Sequence, residues 1–258
     1  MGDVDASVLF LALPLALGMG ALLGLLGGGG SILAVPILLH VVHRTPEQAI
    51  AESLLVVALA AAAALYPHAR AWRVQWRAGL VFATASGAIA YASGRVSVFI
   101  PTDVVLWLFI GVTLLTGFIM LRPSAAPVDS ASLVAPSVPR LITYAAAVGA
   151  LSGLVGAGGG FLIVPALVVM GRMSMRDAVG TSLLVIALNS ALGFAAHASH
   201  VAIDYGVSGL IAVAGMVGAL VGATLCERVP VSALRRWFAV LVLGVGVATS
   251  YGACVGAL

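Results

Sequence analysis

The chain alternates long apolar runs with short polar ones. Apolar stretches lie at about 6–26, 31–42, 49–66, 78–94, 104–121, 140–155, 160–170, 178–196, 205–225 and 237–255. A helix needs about 20 apolar residues to cross a hydrocarbon layer about 30 Å thick. Most runs approach that length and predict membrane-spanning helices joined by short loops. The runs 31–42 and 160–170 are too short to cross alone, and each follows a glycine cluster. Gly27, Gly28, Gly29 and Gly30 precede the first; Gly156, Gly158, Gly159 and Gly160 precede the second. Glycine costs about 1 kcal/mol per helical position relative to alanine, so each cluster predicts a helix broken inside the membrane.

The pattern occurs twice. Sliding the sequence by 129 positions without a gap gives 11 identities in 17 positions over 20–36 and 7 in 11 over 49–59. Gly20, Gly24, Gly27, Gly29, Gly30 and Pro36 fall on Gly149, Gly153, Gly156, Gly158, Gly159 and Pro165, and the Ser-Leu-Leu-Val at 53–56 falls on that at 182–185. The stretch 122–139, rich in proline and serine, reads as a connector. Residues 1–121 and 140–258 are then two transmembrane repeats of one all-α, polytopic membrane protein.

Arginine placement predicts how the repeats are oriented. If each half crosses an odd number of times, ten arginines share one side and only Arg44 and Arg95 face the other; an even number splits them five against seven. The bias of basic residues toward the cytoplasm selects the odd count, and with it inverted-topology repeats with both termini outside. Equivalent loops agree: Arg70, Arg73 and Arg77 stand opposite an arginine-free stretch at 197–204, and Arg95 opposite Arg228, Arg235 and Arg236. Trp72, Trp76, Trp107 and Trp237 near span ends suit interfacial anchoring.

Composition supports the membrane assignment. Of 258 residues 62% are hydrophobic and 8% charged, and the mean hydropathy is +1.19, whereas soluble domains carry roughly 25% charged residues. The net charge of +3 forms no basic stripe to grip nucleic acid. Cys226 and Cys254 lack the spacing of a disulfide framework or a metal site, and no cofactor is implied. Asp3 and Asp5 stand where a cleaved signal peptide would carry basic residues, so the N-terminus is expected to be retained. The implied partners are the lipid bilayer and a small anionic substrate; a homo-oligomer is left open.

The anion follows from the breaks. A helix beginning inside the bilayer exposes unpaired N–H groups and the positive end of its dipole, tolerable only in protein or at a cavity. Two such beginnings, near Ser31 and Phe161, suit an anion, and glycine lets the backbone approach it closely. A nucleotide-binding reading fails, because no lysine occurs in the chain and no strand precedes either cluster.

The sequences Gly-Leu-Leu-Gly-Gly-Gly-Gly-Ser at 24–31 and Gly-Leu-Val-Gly-Ala-Gly-Gly-Gly-Phe at 153–161, each followed by Val-Pro, resemble the TauE/SafE family of sulfite and organosulfonate exporters. So do Ala-Val-Gly-Thr-Ser-Leu at 178–183 and Val-Ala-Ile-Asp-Tyr at 201–205. The resemblance implies an exporter of small sulfur-containing anions in the inner, or plasma, membrane, with both glycine motifs lining the path. The copies differ at one position, where Glu52-Ser53 stands opposite Thr181-Ser182.

Beside the glycines and Ser31, the candidate oxyanion donors are Ser53, Thr181, Ser182, Asn189 and Ser190. Each could equally bond helix to helix. Glu52, at a span start, is either solvated or, if buried, a candidate for proton coupling. His68 and His197 occupy equivalent span ends and read as interfacial. Two rival functions remain: an anion channel using the same site, and an intramembrane Ser/His hydrolase, for which no serine has the Gly-x-Ser-x-Gly setting.

Overall fold

The computed structural model describes residues 6–97, 100–121, 138–155, 160–171, 173–198 and 201–255. Among them every regular element is helical. Helix α1 is Ala6–Leu26. A short leg, here α2, continues as a 3₁₀ turn over Gly28–Leu33, one α turn over Ala34–Pro36 and a π turn over Ile37–Val41. Helices α3 (Pro46–Arg70), α4 (Trp76–Ser97) and α5 (Thr102–Leu121) complete the first half. The second half holds α6 (Val138–Val155), α7 (Gly160–Pro165 and a π turn over Ala166–Met170), α8 (Met175–His197), α9 (Tyr205–Arg228) and α10 (Val231–Val255). The predicted connector 122–139 lies outside the described residues except for Val138 and Pro139, which open α6. Among the described residues, five helices are long and apolar enough to cross a membrane, within α1, α3, α8, α9 and α10.

Local chemistry explains why the elements start and stop where they do, and it is duplicated. Pro36 and Pro165 lack the N–H an α-helix needs, and both are followed by wide turns: Val42 N–H donates to Ile37 O at 3.1 Å, as its counterpart Gly171 N–H does to Ala166 O at 3.0 Å. Helix α3 is capped by Thr45, whose side chain accepts from Gln48 N–H, and α8 by Ser174, which accepts from Asp177 N–H at 3.2 Å.

Close helix contacts obey the same shift. Gly20 and Gly24 of α1 lie against the carbonyls of Gly215 and Ala219 on α9; Gly149 and Gly153 of α6 lie against those of Ser86 and Ala90 on α4. All four glycines therefore permit backbone-to-backbone packing, as small residues do in membrane bundles. The order of these contacts makes α1 parallel to α9, and α6 parallel to α4. The equivalent helices α3 and α8 instead run antiparallel, since Leu54 meets Gly193 while His68 meets Gly180. Helices α5 and α10 do likewise: Thr113 lies near Gly246 and Arg235 binds Met120 O at 2.8 Å.

The two ends of the bundle follow. Gly30 packs on the backbone of Met19 and Leu23, so α2 turns back along α1, and Arg44 beyond it bonds Asp204, the residue capping α9. The first end thus gathers the start of α1, Arg44, Asp204 and Arg95. The second gathers the end of α3, the start of α8 and the end of α9, where Arg176 Nη2 donates to the Glu227 and Val229 carbonyls at 3.2 Å. Eight of the ten described arginines lie at this second end: Arg70, Arg73, Arg77, Arg140, Arg176, Arg228, Arg235 and Arg236. Trp72, 95% exposed beside them, stands clear of the protein.

Candidate functional site

The two breaks meet. Gly27 ends α1 in the left-handed region at φ 72°, a conformation that favours glycine, and its N–H closes the last turn on Leu23 O at 2.8 Å. Gly28 then lies so close to Gly160 that a Cβ on it would strike that residue's carbonyl, and a Cβ on Gly160 would come within 2.7 Å of Ser31 Oγ. Ser31 and Gly160 are equivalent positions, so the halves touch where the duplication maps one onto the other. Gly27 faces Ser182 Oγ and Val164 from α8 and α7. Gly156, Gly158 and Gly159 lie outside the described residues.

The remaining glycines of the first cluster face elsewhere. A Cβ on Gly29 would meet Leu241 and Phe238 of α10, and one on Gly30 would meet α1 itself. Gly28, Gly29 and Gly30 are all buried. Around this junction the described atoms pack closely. A groove of about 540 Å³ lies between α1 and α9, lined by Leu13, Pro14, Leu17, Leu210, Val213 and Ala214; its apolar walls offer an anion nothing.

The hydroxyls of the candidate donors are turned to backbone. Ser31 Oγ donates to Gly28 O at 2.7 Å, Ser53 Oγ to Ile50 O at 2.8 Å, and Ser182 Oγ to Val179 O at 2.8 Å. Ser53 is 5% exposed and Ser182 wholly buried. Such bonds within a turn are weak local alternatives, and rotation about χ1 can redirect a serine proton to a ligand. Asn189 sits farther along α8, donating from Nδ2 to Ser86 Oγ at 3.1 Å while its buried Oδ1 has no partner among the described residues. Ser190 is buried on the same helix.

Glu52 and Thr181 are equivalent residues, and both are fully buried. Asp204 N–H donates to Glu52 Oε1 at 3.3 Å, and Gln75 N–H donates to Thr181 Oγ1 at 3.1 Å. Asp204 and Gln75 are again 129 positions apart. Each half therefore fastens the loop before one of its helices to the start of the other half's α3 or α8. The first tie alone is ionic: Arg44 Nε lies 3.2 Å from Glu52 Oε2, and Arg44 Nη2 2.8 Å from Asp204 Oδ2. Arg44's hydrogen bond, followed by that of Val207 N–H, holds the Asp204 carboxyl below its ordinary value. At the second end Arg73 pairs with Glu227 at 3.5 Å.

Sequence reasoning overlooked the partners. Arg44, Asp204 and Gln75 lie between the apolar runs, and although the 129-residue shift sets Gln75 on Asp204 and Glu52 on Thr181, nothing in it pairs the loop residues with the helix residues. His68 is also placed differently from the interfacial expectation: it is 1% exposed, with Nε2 3.1 Å from Gly24 O near the first break. Its counterpart His197 is exposed, with Nδ1 2.8 Å from Gly193 O of its own helix.

Residues 12–249 match the model of a family described as sulfite exporter TauE/SafE. The chain belongs to this family. A probable membrane transporter protein of Xylella fastidiosa is 36% identical over 89% of this chain and 90% of its own length. The probable membrane transporter protein YdhB of Bacillus subtilis is 27% identical over 84% and 90% respectively. MJ0441 of Methanocaldococcus jannaschii, named in the same way, is 29% identical over 72% and 73%. No solved structure matches the chain. This TauE/SafE chain is thus a multi-pass membrane transporter.

Proposed function

We propose that this transporter moves a small sulfur-containing oxyanion, sulfite or an organosulfonate, through a site where the two glycine breaks meet. The backbone contact between Gly28 and Gly160, with the Ser31 and Ser182 hydroxyls beside it, carries the reading. Each short leg begins inside the bundle, where its first N–H groups and dipole favour negative charge. In this structure protein atoms fill the space beside Gly27, Gly28 and Gly160, so an anion reaches that backbone only when the two halves part. The sequence motif assigns Gly156, Gly158 and Gly159 to the same site; Ser31, Ser53, Thr181, Ser182 and Asn189 supply hydroxyl and amide donors. Glu52, buried next to Ser53, is the candidate for proton coupling, and Glu52→Gln leaving transport and its pH dependence unchanged would dismiss it.

Transport in this reading is secondary and proceeds by alternating exposure of the shared site. The antiparallel course of α3 against α8, and of α5 against α10, supports repeats of inverted topology. The arginine-rich end then faces the cytoplasm of the inner, or plasma, membrane, leaving both termini outside. Among the described residues, eight arginines against Asp177 and Glu227 at that end also concentrate anions at the mouth from which export starts.

The test is binding of sulfite, sulfate, thiosulfate, sulfoacetate and taurine to the purified protein by calorimetry, repeated with Gly28→Ala. Binding of sulfite or a sulfonate that Gly28→Ala weakens supports the site. No binding across the panel, or equal binding by the variant, overturns it.

A further inference from the structure

We infer that the two equivalent ties, Asp204 N–H to Glu52 and Gln75 N–H to Thr181, are the two gates of the transport path; the inference rests on the site proposed above. Helices α3 and α8 run antiparallel, so the ties lie at opposite ends of that pair. Each is one residue from a candidate anion ligand: Glu52 precedes Ser53 and Thr181 precedes Ser182, which faces Gly27 across the break. A tie that is made draws a loop of one half over the helix start of the other and closes that end. Opening the end requires its tie to break. Both ties are made in this structure, at 3.3 and 3.1 Å, and the glycine junction between them is buried. The arrangement is that of a path closed at both ends.

The gates are chemically unequal. Arg44 bridges Glu52 and Asp204 at the first end, whereas its counterpart at the second is Met173, an apolar side chain 4% exposed. A single neutral hydrogen bond between helices in a membrane is weak, while separating a buried ion pair strands a charge. The Thr181 gate therefore opens more readily, and the resting protein favours access from the arginine-rich end. Loosening one tie shifts the population toward opening at its own end and away from the other.

The experiment uses full-length protein in lipid nanodiscs with Cys226→Ala and Cys254→Ala, carrying either Ser53→Cys or Ser182→Cys as reporter. The rate of labelling by a water-soluble maleimide is read with and without sulfoacetate, a sulfonate that does not itself react with the maleimide. Glu52→Ala is expected to raise labelling at position 53 by about tenfold and lower it at 182, and Thr181→Ala to do the reverse. Arg44→Met, which installs the residue of the second end, is expected to act in the direction of Glu52→Ala and carries the first arm should Glu52→Ala not fold. Labelling rates that stay constant, or rise together at both reporters, overturn the gates. Protection by sulfoacetate without reciprocal labelling refutes the gates and leaves the anion site; reciprocal labelling without protection upholds the gates and refutes the site for a sulfonate.

Discussion

Replacing Gly28 by alanine adds one methyl group where the two halves of the bundle touch. The new Cβ would fall on the carbonyl of Gly160, a backbone atom that cannot rotate aside. It must retreat by more than about 1 Å to reach ordinary carbon–oxygen contact, and both neighbourhoods resist, because Gly28 and Gly160 are buried. Forcing extra volume into a packed core costs about 1–3 kcal/mol. At about 1.4 kcal/mol per factor of ten, that is about a five- to 150-fold loss in the fraction of protein holding the junction, and in anion affinity with it. Gly29→Ala supplies the control. Its Cβ meets Leu241 Cδ2 at 2.8 Å, the far end of a side chain that can change rotamer. Thermal unfolding of both purified variants, with calorimetric binding of sulfite, separates the cases: Gly28→Ala is expected to lose affinity and melt early, and Gly29→Ala to stay near the parent. A Gly28→Ala protein that binds and transports normally would refute the reasoning, because the junction would then tolerate a side chain.

Three further perturbations probe the frame around the junction. Arg44→Ala leaves the buried Glu52 without its cation, an arrangement that costs about 3–5 kcal/mol; thermal unfolding should show early melting, and the double variant Arg44→Met with Glu52→Thr, which copies the second end, should recover much of it. Gly20→Val and Gly149→Val thrust side chains onto the carbonyls of Gly215 and Ser86 and should destabilise the bundle to similar extents, whereas Gly111→Ala and Gly244→Ala, with open space around them, should leave its melting temperature unchanged in the same scan. Asp204 has a folded value held below its ordinary 3.8, chiefly by Arg44. Its contribution is therefore fully present above that ordinary value and is lost as pH falls through the lowered one. The difference in melting temperature between parent and Asp204→Asn should be constant from about pH 8 to pH 5 and shrink below about pH 4.

How much of this was legible in the sequence depended on the range of the interaction. Apolar runs and glycine clusters act over a few turns, so they located α1 and α7 closely and predicted breaks at Gly27 and before Gly160. The other apolar runs located the remaining helices, and the 129-residue shift pointed to shared environments, because an identical residue at an identical offset meets similar surroundings: Gly20 and Gly149 both accept a neighbouring helix, and Pro36 and Pro165 both precede a π turn. What the pattern could not separate was glycine for packing from glycine for a ligand. Gly29 and Gly30 stand in the same motif as Gly28, yet they face α10 and α1 rather than Gly160 at the second short leg, since a 3₁₀ turn of about three residues sends consecutive positions to different sides. Burial of Glu52 was equally hidden. Its cation lies eight positions earlier and its N–H donor 152 positions later, and no periodicity connects them. The departure at Glu52 and Thr181 nevertheless has a physical meaning once the ties are known. Two copies under the same fold constraint can keep one hydrogen bond in common while differing in the charge that reinforces it, and that difference gives an otherwise duplicated bundle two unlike ends. A carrier with alike ends would open to either side with equal ease; if the ties are the gates proposed above, the pairing of Arg44 with the wholly buried Glu52 makes opening there the costlier step, which is the asymmetry the labelling experiment measures.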